Sequence, residues 1–177
     1  LAMYHIYFLV ILLWFYFLMP LWRPLLRFMD KAPWLSFTLL FFANMAFNFY
    51  SSYIWTVHSD NPLIQDAFNF RLNYIVLHYL LIFMFGAFTA EHFGSVTDWL
   101  KKHGVLVNVF QAATTLGMLA AYYGVMHYLG YDPLSAVFTI HQLSPIGMAY
   151  TLSTMLFLLY WWECRPVPQW VHKVFSL

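Results

Sequence analysis

Charge is what this chain has least of. Only 8% of its 177 residues are Asp, Glu, Lys or Arg, against roughly 25% in an ordinary soluble domain. So few charges cannot cover a water-facing surface. The shortage excludes a soluble globular domain and leads to the expectation of a membrane protein. Cysteine is nearly absent as well: Cys164 stands alone, which rules out an internal disulfide and any all-cysteine metal site. Basic runs are missing, so nucleic acid is not an expected partner, and the net charge of +1 selects none. No glycine-rich phosphate loop is present. The first residues have neither the basic start nor the small-residue cleavage site of a secretory leader. An apolar run begins almost at once, and the chain reads as part of a longer protein.

What is abundant is apolar and aromatic. Hydrophobic residues make up 63% of the chain and aromatics 23%, with a mean hydropathy of +0.66. Tyr and Trp at this level suit the two interfacial belts of a bilayer. Five uncharged segments stand out, at residues 6–21, 34–55, 72–90, 105–128 and 137–162. Each reaches or approaches the roughly 20 residues that a helix needs to cross the hydrocarbon. None alternates apolar and polar as the strands of a membrane barrel do. The expected fold is all-α: a polytopic membrane helix bundle with five transmembrane helices in a single helical region spanning 1–177.

The cations set an orientation. Arg23, Arg27 and Lys31 fall between the first two segments, Lys101 and Lys102 between the third and fourth, and Arg165 and Lys173 in the tail. The other two loops hold one cation, Arg71, with Asp60, Asp66 and Asp132. By the positive-inside bias, the N-terminal end lies outside and the C-terminal end in the cytoplasm. Ala113, Gly117, Ala121 and Gly124 form a small-residue stripe, read as a packing face. Pro145 with Gly147 is expected to kink or break the fifth segment. Residues 56–71 form the longest outer loop and 91–104 the longest central inner loop.

Polar groups inside spans are costly, which makes them candidates for function. His5 opens the first segment, and Asn44 and Asn48 lie four residues apart on one face of the second. His78 lies in the third, His127 ends the fourth, and His141 precedes Ser144 in the fifth. All of these except Asn44 fall in the outer half and, with Arg71, define an outward-facing polar mouth in which His5, Asn48, Arg71 and His78 converge. The competing reading of each histidine, His58 included, is an interfacial anchor with its ring in the headgroups. His92, His103 and His172 read as solvated, and the asparagines alternatively bridge helices. No span carries His-x-x-x-His or Glu-x-x-His, so no metal site is expected. No span carries an acid, so a buried Ser-His-Asp triad is not expected either.

The opening run, His5-Ile6-Tyr7-Phe8-Leu9 and then Pro20-Leu21-Trp22-Arg23-Pro24-Leu25-Leu26-Arg27, resembles a mid-chain helix of the membrane-bound acyltransferase-3 family. The run YLLIFMFGAFTAE from Tyr79 to Glu91 resembles that family's Phe-rich helix, and Lys101-Lys102-His103 stands where a basic inner loop follows. The resemblance implies a segment of a protein with about ten spans. It implies transfer of an acetyl- or succinyl-class group from cytoplasmic acyl-CoA to a hydroxyl of a cell-surface glycan or lipid-linked sugar. Acyl-CoA is then a donor substrate rather than a bound cofactor. Further partners are the lipid bilayer and the remaining helices of the same parent chain, in a bacterial plasma membrane. His5 matches the family's mid-chain histidine, which implies a supporting or acceptor-positioning role. Asn48, Arg71 and His78 are the expected substrate-binding residues. The family's first-span His and its Arg-x-x-Arg helix have no counterpart, so the isolated segment is expected to be inactive. The competing function is a non-enzymatic membrane module, such as a transporter half or glycan-export subunit, suggested by the broken fifth segment and the polar mouth.

Overall fold

The computed structural model describes residues 3–55, 58–65, 76–141 and 143–164, without the side chains of residues 3–8. It is all-helical, and no strand occurs among the described residues. In chain order the helices are α1 (Met3–Phe17), α2 (Met19–Met29), α3 (Pro33–Phe49), α4 (Leu80–Glu91), α5 (Phe93–Lys102), α6 (Gly104–Leu129), α7 (Pro133–Thr139) and α8 (Pro145–Glu163). A π-helical turn, Tyr50–Ile54, extends α3, and a 3₁₀ turn, Val76–Tyr79, leads into α4.

Proline places most of the starts. Pro20, Pro33 and Pro133 sit in the opening positions of α2, α3 and α7, and Pro145 is the first residue of α8. A first-turn proline lacks only an N–H that would have no intrahelical partner, and its fixed φ suits the helix. Gly130 ends α6 in the left-handed region at φ 68°, which costs glycine nothing and an L side chain about 1 kcal/mol or more. Two residues on, the Asp132 carboxylate accepts hydrogen bonds from the N–H groups of Leu134 and Ser135 and caps α7.

The chain divides into two compact units. The first comprises Leu1–Ala90 with Leu143–Pro145. Its core joins Ile11 and Phe15 of α1, Trp22, Leu26 and Met29 of α2, and Met84 of α4. Phe15 stacks on Phe83 at 3.8 Å between ring centroids, and Phe37 of α3 meets Phe88 edge-on. The second unit comprises Glu91–Gln142 and Ile146–Leu177. There α6 and α8 run antiparallel, and Leu100, Val107 and Tyr160 form the core.

The helical class holds, but the described helices do not give five spans. Gly104–Leu129 is the one described helix that is long and apolar enough to cross a membrane by itself. Counting two bent pairs, α1 with α2 and Val76–Glu91 with α5, as one span each raises the number to three. The reasons are local. The first segment bends by 72° at Leu18. The second has seventeen α-helical residues before it passes into the π turn. Part of the third, residues 72–75, lies outside the described residues. The fifth is split between α7 and α8. The 19 residues of α8 suffice in length, but its Ser, Thr, Tyr and Trp content dilutes its hydropathy. The expected inner loop at 91–104 is mostly α5.

The small-residue stripe also shifts. Ala113 is exposed, whereas Gly104, Val107, Thr114 and Gly117 face α8. A Cβ on Gly104 would come within 2.3 Å of the Tyr160 ring, and one on Gly117 within 2.9 Å of Ile146. These two glycines permit the close approach of the helices.

Candidate functional site

The first unit gathers polar side chains where α3 packs against the 3₁₀ turn. Asn44 and Asn48 are one helical turn apart, so both amides project from the same face of α3. Asn44 Nδ2 donates to the carbonyl of Leu77 at 2.7 Å. Asn48 Nδ2 makes a longer contact, 3.5 Å, with the carbonyl of His78. The opposite end of the same amide meets the ring: His78 Nδ1 lies 2.7 Å from Asn48 Oδ1. With Oδ1 as the acceptor, Nδ1 must carry the proton, and the neutral imidazole then keeps its basic lone pair on Nε2.

Asn48 and His78 are 0% and 1% exposed, so this is a core pair rather than the rim of an open mouth. Phe47 closes one side, its ring 5.0 Å from the imidazole. Ser51 sits one turn beyond Asn48 and donates to its backbone carbonyl. Asn44 Oδ1 is a buried acceptor with no hydrogen-bond partner among the described residues. The π turn carries Tyr53, whose hydroxyl shares a hydrogen bond with the buried Ser144. An amide-held imidazole in an apolar shell is an arrangement suited to a general base. The amide fixes the tautomer and the ring plane, and the shell excludes competing water.

Of the four residues expected to converge, the structure brings Asn48 and His78 together. Arg71 lies outside the described residues. His5 belongs to α1, and its side chain likewise lies outside them. His58 and His127 are exposed, the latter edge-on to Tyr128. His103 binds the Trp99 carbonyl through Nδ1 and stacks on that indole, so it closes the end of α5 rather than standing free in solvent.

A second polar array, in the other unit, escaped the sequence reading. Gln111 Oε1 accepts from Ser153 and Thr154 at 2.8 and 3.3 Å. Thr114 and Ser153 share a hydrogen bond of 2.6 Å, and Asn108 accepts from the Trp161 indole. Every member has a hydroxyl, amide or indole partner. This is how a polar seam holds two apolar helices together. The signal was the spacing of Asn108, Gln111 and Thr114 at intervals of three along a mostly apolar helix.

No protein-family model, no curated protein and no solved structure matches the chain.

Proposed function

We propose that this chain is part of an integral membrane O-acyltransferase, with His78 as the base that activates the acceptor hydroxyl and Asn48 as the residue that orients it. The observation that carries the proposal is the buried 2.7 Å contact between His78 Nδ1 and Asn48 Oδ1. An alcohol with a pKa far above neutrality attacks a thioester efficiently only when its proton is accepted as it attacks. His78 takes that proton on Nε2 as the acceptor oxygen bonds to the acyl carbon. The CoA thiolate departs and the proton returns to it. Asn44 Oδ1 offers a buried acceptor for a second sugar hydroxyl. The likeness of the opening helix and of Tyr79–Glu91 to the acyltransferase-3 family supports the same chemistry. On that likeness His5 positions the acceptor, Arg71 completes the substrate site, and acyl-CoA is the donor. The five apolar segments supply the transmembrane bundle, with α3 and its π turn as one span and the N-terminal end outside, in a bacterial plasma membrane.

The test is acylation of surface glycan in cells producing the full-length protein at matched membrane abundance. His78→Ala is expected to lower it about 10²–10⁴-fold, the range for loss of a general base. Asn48→Ala should lower it less, and His127→Ala least. Unchanged acylation with His78→Ala would overturn the reading.

One observation favours a second reading, a translocation module. The chain is broken between α7 and α8, and a discontinuous helix is the usual site of ion or substrate binding in transporters. That reading predicts substrate movement across the bilayer without chemical change.

A further inference from the structure

From the sequence, the first apolar segment ends at residue 21, and Arg23 and Arg27 fall in the loop that follows. The structure puts both in a separate helix. α2 turns 72° away from α1 at Leu18, and its 11 residues extend for about 16 Å. Its side chains fall on three faces. Trp22, Leu26 and Met29, at i, i+4 and i+7, are buried in the core of the first unit. Leu21 and Phe28 are both more than 60% exposed and form an apolar outer face. Arg23 and Arg27, one turn apart, form a cationic face between the other two. Neither arginine makes an ion pair or hydrogen bond with another described residue.

A span has no use for this pattern, because an arginine facing acyl chains is costly. A helix lying in the interfacial plane does. Its apolar side rests on the acyl-chain boundary and its cations reach the headgroups. The bend supplies the orientation: on the membrane reading, with α1 crossing the bilayer, a helix 72° from it lies close to the membrane plane. A guanidinium also pairs with phosphate oxygens in a bidentate manner, and two at i, i+4 spacing present adjacent forks.

We propose that α2 is an interfacial helix whose Arg23 and Arg27 bind the phosphates of anionic lipids. This rests on the membrane reading of the chain and adds a lipid-binding surface to it. α2 then acts as a strut that fixes the depth of α1 and the angle at which α3 enters the bilayer.

Spin labels placed singly at Leu21, Pro24, Arg27 and Phe28 of the full-length protein, with Cys164→Ser as background, test this in vesicles of phosphatidylcholine alone or with phosphatidylglycerol. In the expected result, oxygen accessibility oscillates with the helical period, highest at 21 and 28, with 27 open to an aqueous nickel chelate. Phosphatidylglycerol should draw the label at 28 deeper, and Arg23→Gln with Arg27→Gln should abolish that shift. A steady rise in depth from 21 to 28 would make α2 a continuation of the span and overturn the proposal. So would a label at 28 indifferent to phosphatidylglycerol, or one shifted equally by inorganic phosphate with neutral lipid. A label at the exposed Leu39 of α3 separates the two levels. It should be oxygen-rich and closed to nickel; nickel access there would refute the membrane reading itself.

Discussion

At the scale of single residues, the sharpest constraint is Gly104. Its missing Cβ admits the Tyr160 ring, three atoms of which would lie 2.3–2.6 Å from any Cβ built there. Tyr160 is in the core of its unit and has little room to retreat. Gly104→Ala should therefore destabilise the protein by about 1–3 kcal/mol, the usual cost of overpacking. Thermal unfolding in detergent measures it, and Tyr160→Ala in the same chain should recover part of the loss. An unshifted transition would show that the two helices do not approach this closely. Gly104 was not legible in the sequence, where it looked like a loop glycine beside Lys101 and Lys102. The Asn48–His78 pair was legible in half. The spacing of Asn44 and Asn48 put both on one face, and an intramembrane His is always conspicuous. That the two side chains bond depends on how α3 packs against the 3₁₀ turn, which no local pattern encodes.

At the scale of elements, α7 shows how much one cap decides. Its seven residues are too few to be stable alone. They start at Pro133, and Asp132 binds their first amides. Hydrogen bonds from the Ser135 hydroxyl and backbone amide hold the Asp132 carboxyl below its usual value, against the small opposing effect of desolvation. A depressed folded-state pKa stabilises the helix above the unfolded value, near 4, and that contribution disappears as pH falls through the lower folded value. The protection factors of the Leu134 and Ser135 amides should thus fall on acidification below about pH 4. Asp132→Asn should keep the cap and flatten this dependence, and Asp132→Ala should lose the protection at neutral pH. Protection unchanged in the alanine variant would contradict the capping account. The break at Pro145 was legible, since proline acts locally, but the start of α7 at Asp132 and Pro133 was passed over. The face of α6 was not legible. A stripe of small residues indicated packing, but the contact face runs through Gly104, Val107, Gln111 and Thr114, with Ala113 outside it. The polar seam with Ser153 sets that register, and polar seams are satisfied only by a partner helix. The helices α2 and α5 were lost in the same way, since each is amphipathic and was absorbed into a span end or a loop.

At the scale of the whole molecule, composition fixed the helical class and little more. Hydropathy is blind to bends, and among the described residues one helix is long and apolar enough to span by itself, or three with the bent pairs counted. The function proposed here needs a bilayer for folding but not for its chemistry. Acyl transfer joins two molecules, whereas transport needs two compartments. The full-length protein purified in detergent, supplied with radiolabelled acyl-CoA and a soluble sugar acceptor, therefore tests the central claim most directly. The account predicts that label moves to the sugar hydroxyl, with free CoA released in equal amount, and that His78→Ala reduces the initial rate per folded molecule at least about 100-fold. Acyl transfer that survives His78→Ala, or a folded wild-type protein that transfers no label, would contradict it.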